Sequence, residues 1–129
     1  VNPALALEEY GKAVRELEDA LGSAPSTRLE QAGCIQYFEF CFELAWKTIK
    51  AFAERQGMSD IVSPRDCLKA AFALHWIDDE AVWLEMLESR NKMPHTCDSE
   101  SAFVVYDRLG SFLPVLQSLM ARLESALPD

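Results

Sequence analysis

The chain has 129 residues, a mass of 14.5 kDa and a formal charge of −9, with half of its residues hydrophobic and only five glycines. That length closes one hydrophobic core and that composition favours long regular elements, so the expectation is a single all-helical domain over residues 1–129. The acidic balance argues against general adhesion to nucleic acid, because counterion release favours proteins that turn lysines and arginines towards phosphates.

Leu7, Tyr10, Val14, Leu17 and Leu21 recur at spacings of three and four, which predicts an amphipathic first helix stopped by Gly22 and Pro25. Thr27 and Glu30 have the form of a capping box, and Arg28 to Gln56 runs without proline to Gly57. This second helix would be roughly 40 Å long. Its apolar positions, Ile35, Phe38, Phe42, Ala45, Trp46, Ile49 and Phe52, are too widely spread for one seam, which predicts a central helix with neighbours on several sides.

Ser63 and Pro64 suit an N-cap and first helical position, opening a short third helix through Leu68, Ala71 and Phe72 to Leu74. After the apolar connection Trp76-Ile77, the acids Asp78, Asp79 and Glu80 complement the dipole at the start of a fourth helix. That helix buries Trp83, Met86 and Leu87 and carries Arg90 near its end. Pro94 predicts a break around Lys92 to Cys97. Asp98 or Ser99 then caps a fifth helix with apolar positions Phe103, Tyr106, Leu109, Leu113, Leu116, Met120 and Leu123, kinked at Pro114. Short connections between five helices suggest an antiparallel bundle.

No apolar run approaches the roughly 18 to 20 residues of a membrane span, and the N-terminus carries neither a basic region nor an apolar signal core. A cytoplasmic protein that avoids the membrane is the expectation. Cys34, Cys41, Cys67 and Cys97 form no C-x-x-C pair, and with two histidines they offer no zinc spacing, so neither metal nor cofactor is called for. Cys34 and Cys41 read as reduced cysteines packed as small hydrophobes. Seven of the twelve basic residues fall between positions 47 and 92: Lys47, Lys50, Arg55, Arg65, Lys69, Arg90 and Lys92. An acidic body with such a basic strip could hold one phosphate-bearing ligand, although solvated helix faces explain any single charge.

Three segments together resemble a known family. The first is Ile35-Gln36-Tyr37-Phe38-Glu39-Phe40-Cys41-Phe42-Glu43-Leu44-Ala45-Trp46-Lys47; the second is Ser63-Pro64-Arg65 followed by Ala70-Ala71-Phe72 and Trp83; the third is Arg90-Asn91-Lys92-Met93-Pro94-His95. In order and spacing they are similar to the nucleotidyltransferase substrate-binding proteins, a branch of the HEPN superfamily that includes the HepT toxins. The third segment matches the superfamily's R-x-x-x-x-H motif. The resemblance implies a twofold homodimer whose motif copies face a shared cleft, and a minimal nucleotidyltransferase as partner. Some members are viewed as substrate-binding subunits, others as ribonuclease toxins that the partner silences by attaching nucleotides. HepT toxins extend the motif to R-x-x-x-x-H-x-Y, with tyrosine the modified residue; here Cys97 takes that position and lacks the phenolic hydroxyl.

The chemistry fits the residues the resemblance selects. Metal-free RNA cleavage needs activation of the ribose 2′-hydroxyl, protonation of the leaving oxygen and stabilisation of phosphate charge. His95 exchanges protons near neutral pH, and Arg90 offers a planar, always charged fork for phosphate. These are the candidate catalytic residues, with Asn91, Lys47 and Lys92 as candidates for substrate binding. Bland alternatives stand beside them. Arg90 and His95 could cap the end of the fourth helix, and His75 reads as structural. Phe38, Phe42 and Trp46 read as core rather than a base-stacking platform. Glu39 and Glu43 could form an acid-base pair, or Glu43 could pair with Lys47 one turn on. The first expectation is a nucleotide- or RNA-binding subunit of a minimal nucleotidyltransferase. The alternatives are a metal-independent ribonuclease toxin, and a structural dimer with a degenerate cleft.

Overall fold

The computed structural model describes residues 2–92 and 99–128. Among the described residues the chain forms five helices and no strand: α1 (Pro3–Gly22), α2 (Arg28–Arg55), α3 (Pro64–Ala73), α4 (Glu80–Lys92) and α5 (Ser99–Ala126). Each start has a local cause. Asn2 Oδ1 accepts from the Ala4 and Leu5 amides at 2.9 and 3.4 Å and Pro3 occupies the first turn, a signal that lies ahead of the apolar stripe from which α1 is legible. The Thr27 and Glu30 capping box opens α2, and Asp66 completes a second box with Ser63 at α3. Gly57 ends the α2 turn at φ +92, a conformation that disfavours any residue with a Cβ.

The three acids before α4 divide their work. Asp79 Oδ1 accepts from the Val82 amide at 3.2 Å and so caps the helix, whereas Asp78 is drawn to Arg122 of α5. Arg122 Nη1 reaches both Asp78 Oδ1 at 2.9 Å and the His75 carbonyl at 3.0 Å. His75 itself has φ 63, an uncommon backbone geometry for a non-glycine residue, and its carbonyl is held by that arginine. Its part in the fold is structural, as its position in the connection suggests.

Helix α2 packs against all four other helices, as the breadth of its apolar positions requires. The five-residue connection from Ser23 to Thr27 forces α1 and α2 to run antiparallel against each other. Inside, Phe38 stacks on Phe112 of α5 at 5.3 Å, and Phe42 meets Trp83 of α4 at 6.3 Å. Tyr10 of α1 is fully buried and donates its hydroxyl to the Leu116 carbonyl at 2.7 Å. Burial pushes its phenol well above the ordinary value of 10.0. Cys34, Cys41 and Cys67 are buried free thiols, and burial pushes Cys41 up to about 12 and Cys67 up to about 11. They behave as small hydrophobes.

Helix α5 corrects the expected pattern in one respect. The buried line is Val105, Leu109, Phe112, Leu116, Leu119 and Leu123, while Phe103, Tyr106, Leu113 and Met120 are only partly buried. Two stripes with alternating spacings of three and four share Leu109, Leu116 and Leu123; the more deeply buried one carries Phe112, which meets Phe38 of α2, and Leu119. Pro114 sits on the exposed side, as does Gly110, whose carbonyl lacks an amide donor four residues on and is open to water, so α5 continues through the proline as one element. The expected break around Lys92 to Cys97 and the Asp98 cap involve residues 93–98, which lie outside the described residues.

Candidate functional site

Arg90 stands on the last turn of α4, where that helix crosses the middle of α2. Its Nε donates to Glu43 Oε1 at 2.6 Å, and its Nη1 donates to Asn91 Oδ1 at 3.0 Å. Among the described residues its partners are therefore side chains, one of them on another helix, rather than the carbonyls of its own last turn. Arg90 also places positive charge in the last turn of α4, so its favourable position at the helix end and its bridge to α2 stand together. The other carboxylate oxygen of Glu43 accepts from the Trp46 indole N–H at 3.1 Å. Glu43 thus bridges two donors, and the side chains of Glu43 and Arg90 are each 33% exposed. At that burial the pair is shielded from much of the solvent, and the guanidinium still has a face to offer a ligand.

This corrects the expected partner of Glu43. Lys47 is one turn away on the same helix but is exposed, with its Nζ 5.8 Å from the centre of the Trp46 ring, and makes no ion pair among the described residues. The planar arginine of α4 takes the carboxylate instead, because tertiary packing brings it opposite residue 43. Glu39, one turn before Glu43, is raised above the ordinary carboxyl value by burial first and by the charge of Glu43 second. Burial and the neighbouring charge both favour the protonated form of Glu39.

The remaining sequence candidates separate. Asn91 is exposed and orients Arg90 through its side-chain oxygen. Lys92 pairs with Glu88 at 2.8 Å on the surface of α4. His95 and Cys97 lie outside the described residues. The seven cations between positions 47 and 92 do not gather into one strip: Lys47 and Lys50 line a groove between α1 and α2, while Lys69 lines a hollow with Asp60 and Asp66. Three helices point them in different directions. Phe38 and Phe42 are core, as expected, but Trp46 is only partly buried and belongs to the site rather than to the core alone. Glu43 as the partner of Arg90 was hidden in the sequence, because its nearest cation along the helix is the wrong one.

Comparison with known proteins identifies the family and the fold. The family described as nucleotidyltransferase substrate binding protein like matches residues 5–125, and the chain belongs to that family. It is similar to a Haemophilus influenzae protein named "Probable ribonuclease HepT", 34% identical over 90 aligned residues, with 64% of this chain and 59% of that protein covered. The match therefore spans less than two thirds of that relative's length. A solved protein of Thermus thermophilus has the same fold, with a TM-score of 0.79 and 25% identity over 88% of this chain and 98% of that one. A Haemophilus influenzae structure, described as revealing the fold of a substrate binding domain of a nucleotidyltransferase, matches with a TM-score of 0.77 and 26% identity over 92% and 98% of the two chains. Among the described residues no helix is long and apolar enough to cross a membrane.

Proposed function

We propose that this chain is a nucleotide- or RNA-binding subunit that works with a minimal nucleotidyltransferase, and that Arg90 is its phosphate anchor. The observation that carries this reading is the Glu43 bridge: a guanidinium oriented by a carboxylate on another helix, itself fixed by the Trp46 indole, with one face left to solvent. Pre-organised arginine loses less freedom when it meets phosphate, so the bridge supports binding rather than merely joining two helices. Asn91 holds the other side of the guanidinium. Lys47 and Lys92 add positive potential, and His95 completes the motif in sequence. The chain acts as a cytoplasmic homodimer, in which two copies of the motif face one cleft. Cys97, in place of the modified tyrosine, removes that route of control.

A second reading, a metal-independent ribonuclease, is favoured by the similarity to the named ribonuclease and by the intact R-x-x-x-x-H spacing. His95 would then move the proton and Arg90 would stabilise the phosphate charge. Co-expression with a minimal nucleotidyltransferase from the same source tests the partnership: the two should elute together in size-exclusion chromatography. Separate elution at micromolar concentrations would remove the partnership from the proposal. Light scattering on the chain alone should give twice the monomer mass, and a monomer would remove the shared cleft.

A further inference from the structure

We propose that the groove between α1 and α2 is a nucleotide subsite, in which a base stacks on Trp46 and its phosphate is held by Lys47 and Lys50. This rests on the reading of the chain as a nucleotide-binding subunit and names where the base goes. The groove measures about 640 Å³ and lies between Leu5 of α1 and the Leu44 to Glu54 stretch of α2. That volume is in the range of about 300 to 1,000 Å³ usual for small-molecule sites.

Three observations identify the ligand class. The first is the aromatic wall. Trp76 and Trp83 are buried in the core, whereas Trp46 is partly exposed and lines the groove, with its N–H already satisfied by Glu43. A ring whose orientation is fixed in this way, in a groove that Leu5 also lines at 58% exposure, offers a flat apolar surface. The second is charge. Five of the twelve cations pair with carboxylates among the described residues, and Lys47 and Lys50 are among those that do not. Both line this groove. Two cations without a carboxylate partner, one of them 5.8 Å from the centre of the Trp46 ring, match a base joined to a phosphate, and the carboxylates of Glu9 and Glu54 on the same rim match ribose hydroxyl or base amino donors. A purely apolar partner would leave this charged rim unanswered.

The third observation joins the groove to the site already described. Trp46 has its ring in the groove and its N–H on Glu43, whose other oxygen holds Arg90. The groove and Arg90 are thus linked through Glu43, and the groove supplies the recognition that a lone arginine lacks.

Adenosine monophosphate and a short fluorescein-labelled RNA are the probes. Tryptophan emission should be quenched by the mononucleotide, since Trp46 is the partly exposed tryptophan. By calorimetry, Trp46→Ala and the double variant Lys47→Glu/Lys50→Glu should each weaken binding about tenfold or more. The lysine pair lies at the groove rim, outside the core, so its variant keeps the test valid if Trp46→Ala does not fold, as checked by circular dichroism. If these variants bind like the parent while Arg90→Ala weakens binding, the groove proposal is wrong and the phosphate anchor stands. If inorganic phosphate competes as well as the mononucleotide, base stacking is overturned. Loss of self-association or of the nucleotidyltransferase complex with mononucleotide binding intact would make this a protein-docking face and overturn the proposal. A parent that binds neither probe overturns both the groove and the reading beneath it.

Discussion

Replacing Glu43 by glutamine keeps the side-chain volume but removes the property on which the site depends. In the parent, one carboxylate oxygen takes Arg90 Nε at 2.6 Å and the other takes the Trp46 indole at 3.1 Å. An amide has one acceptor oxygen and one donor NH2, so it can satisfy only one of the two donors and must oppose the other. Exposed ion pairs are worth about 0 to 1 kcal/mol, and breaking a fully buried one costs about 3 to 5 kcal/mol. With each side chain 33% exposed, the pair lies between those limits. A charge-assisted hydrogen bond of about 1.5 to 3 kcal/mol, discounted for the solvent that reaches it, gives an expected loss of about 1 to 2 kcal/mol. Urea unfolding followed by circular dichroism measures it directly. A double-mutant cycle of Glu43→Gln with Arg90→Ala should return a coupling of about 1 kcal/mol. Coupling below about 0.3 kcal/mol, the scatter of independent sites, would refute the claim that Glu43 orients Arg90.

Three further outcomes follow from the packing. Gly33→Ala should stabilise the chain by about 0.5 to 1 kcal/mol, because α2 gains a better helix former and a Cβ there meets nothing within 4 Å; a calorimetric Tm that falls would show the site to be strained. Phe112→Ala should cost about 3 to 5 kcal/mol by removing a fully buried ring stacked 5.3 Å from Phe38, read as a lower urea midpoint. Glu39 binds its proton more tightly in the folded chain, so its contribution to stability is present below its ordinary value of 4.5 and is lost as pH rises through the raised folded value. Glu39→Gln should accordingly raise stability at neutral pH relative to the parent, and the gain should vanish below about pH 4; equal stabilisation at both pH values would contradict the sign.

Much of the fold was legible because it is written in local patterns. The Thr27 and Glu30 box, the Ser63-Pro64 start and the Gly57 stop fix helix ends within a residue or so of where they fall, and the spread of apolar positions along residues 28–56 requires the central placement of α2. What escaped is what depends on neighbours. The choice between two equally periodic stripes on α5 turns on whether Phe112 or Leu113 meets α2, and periodicity alone is blind to that. The partner of Glu43 is decided by the crossing of α4 over α2, which no spacing along one helix contains. Trp46 looked like core for the same reason that Phe38 and Phe42 are core, since all three share one stripe; its position at the edge of the α1 contact exposes its ring.

The most direct measurement of the central claim incubates a short 5′-labelled RNA with the folded parent and with Arg90→Ala and follows retention and integrity of the RNA on the same gel. The parent should retain the RNA largely intact, and Arg90→Ala should weaken retention about tenfold or more, the scale of one charged hydrogen bond to phosphate. Retention of RNA by Arg90→Ala equal to that of the parent, or no retention by the parent, would contradict it; rapid metal-independent cleavage that disappears in His95→Ala would replace the binding-subunit reading with the ribonuclease.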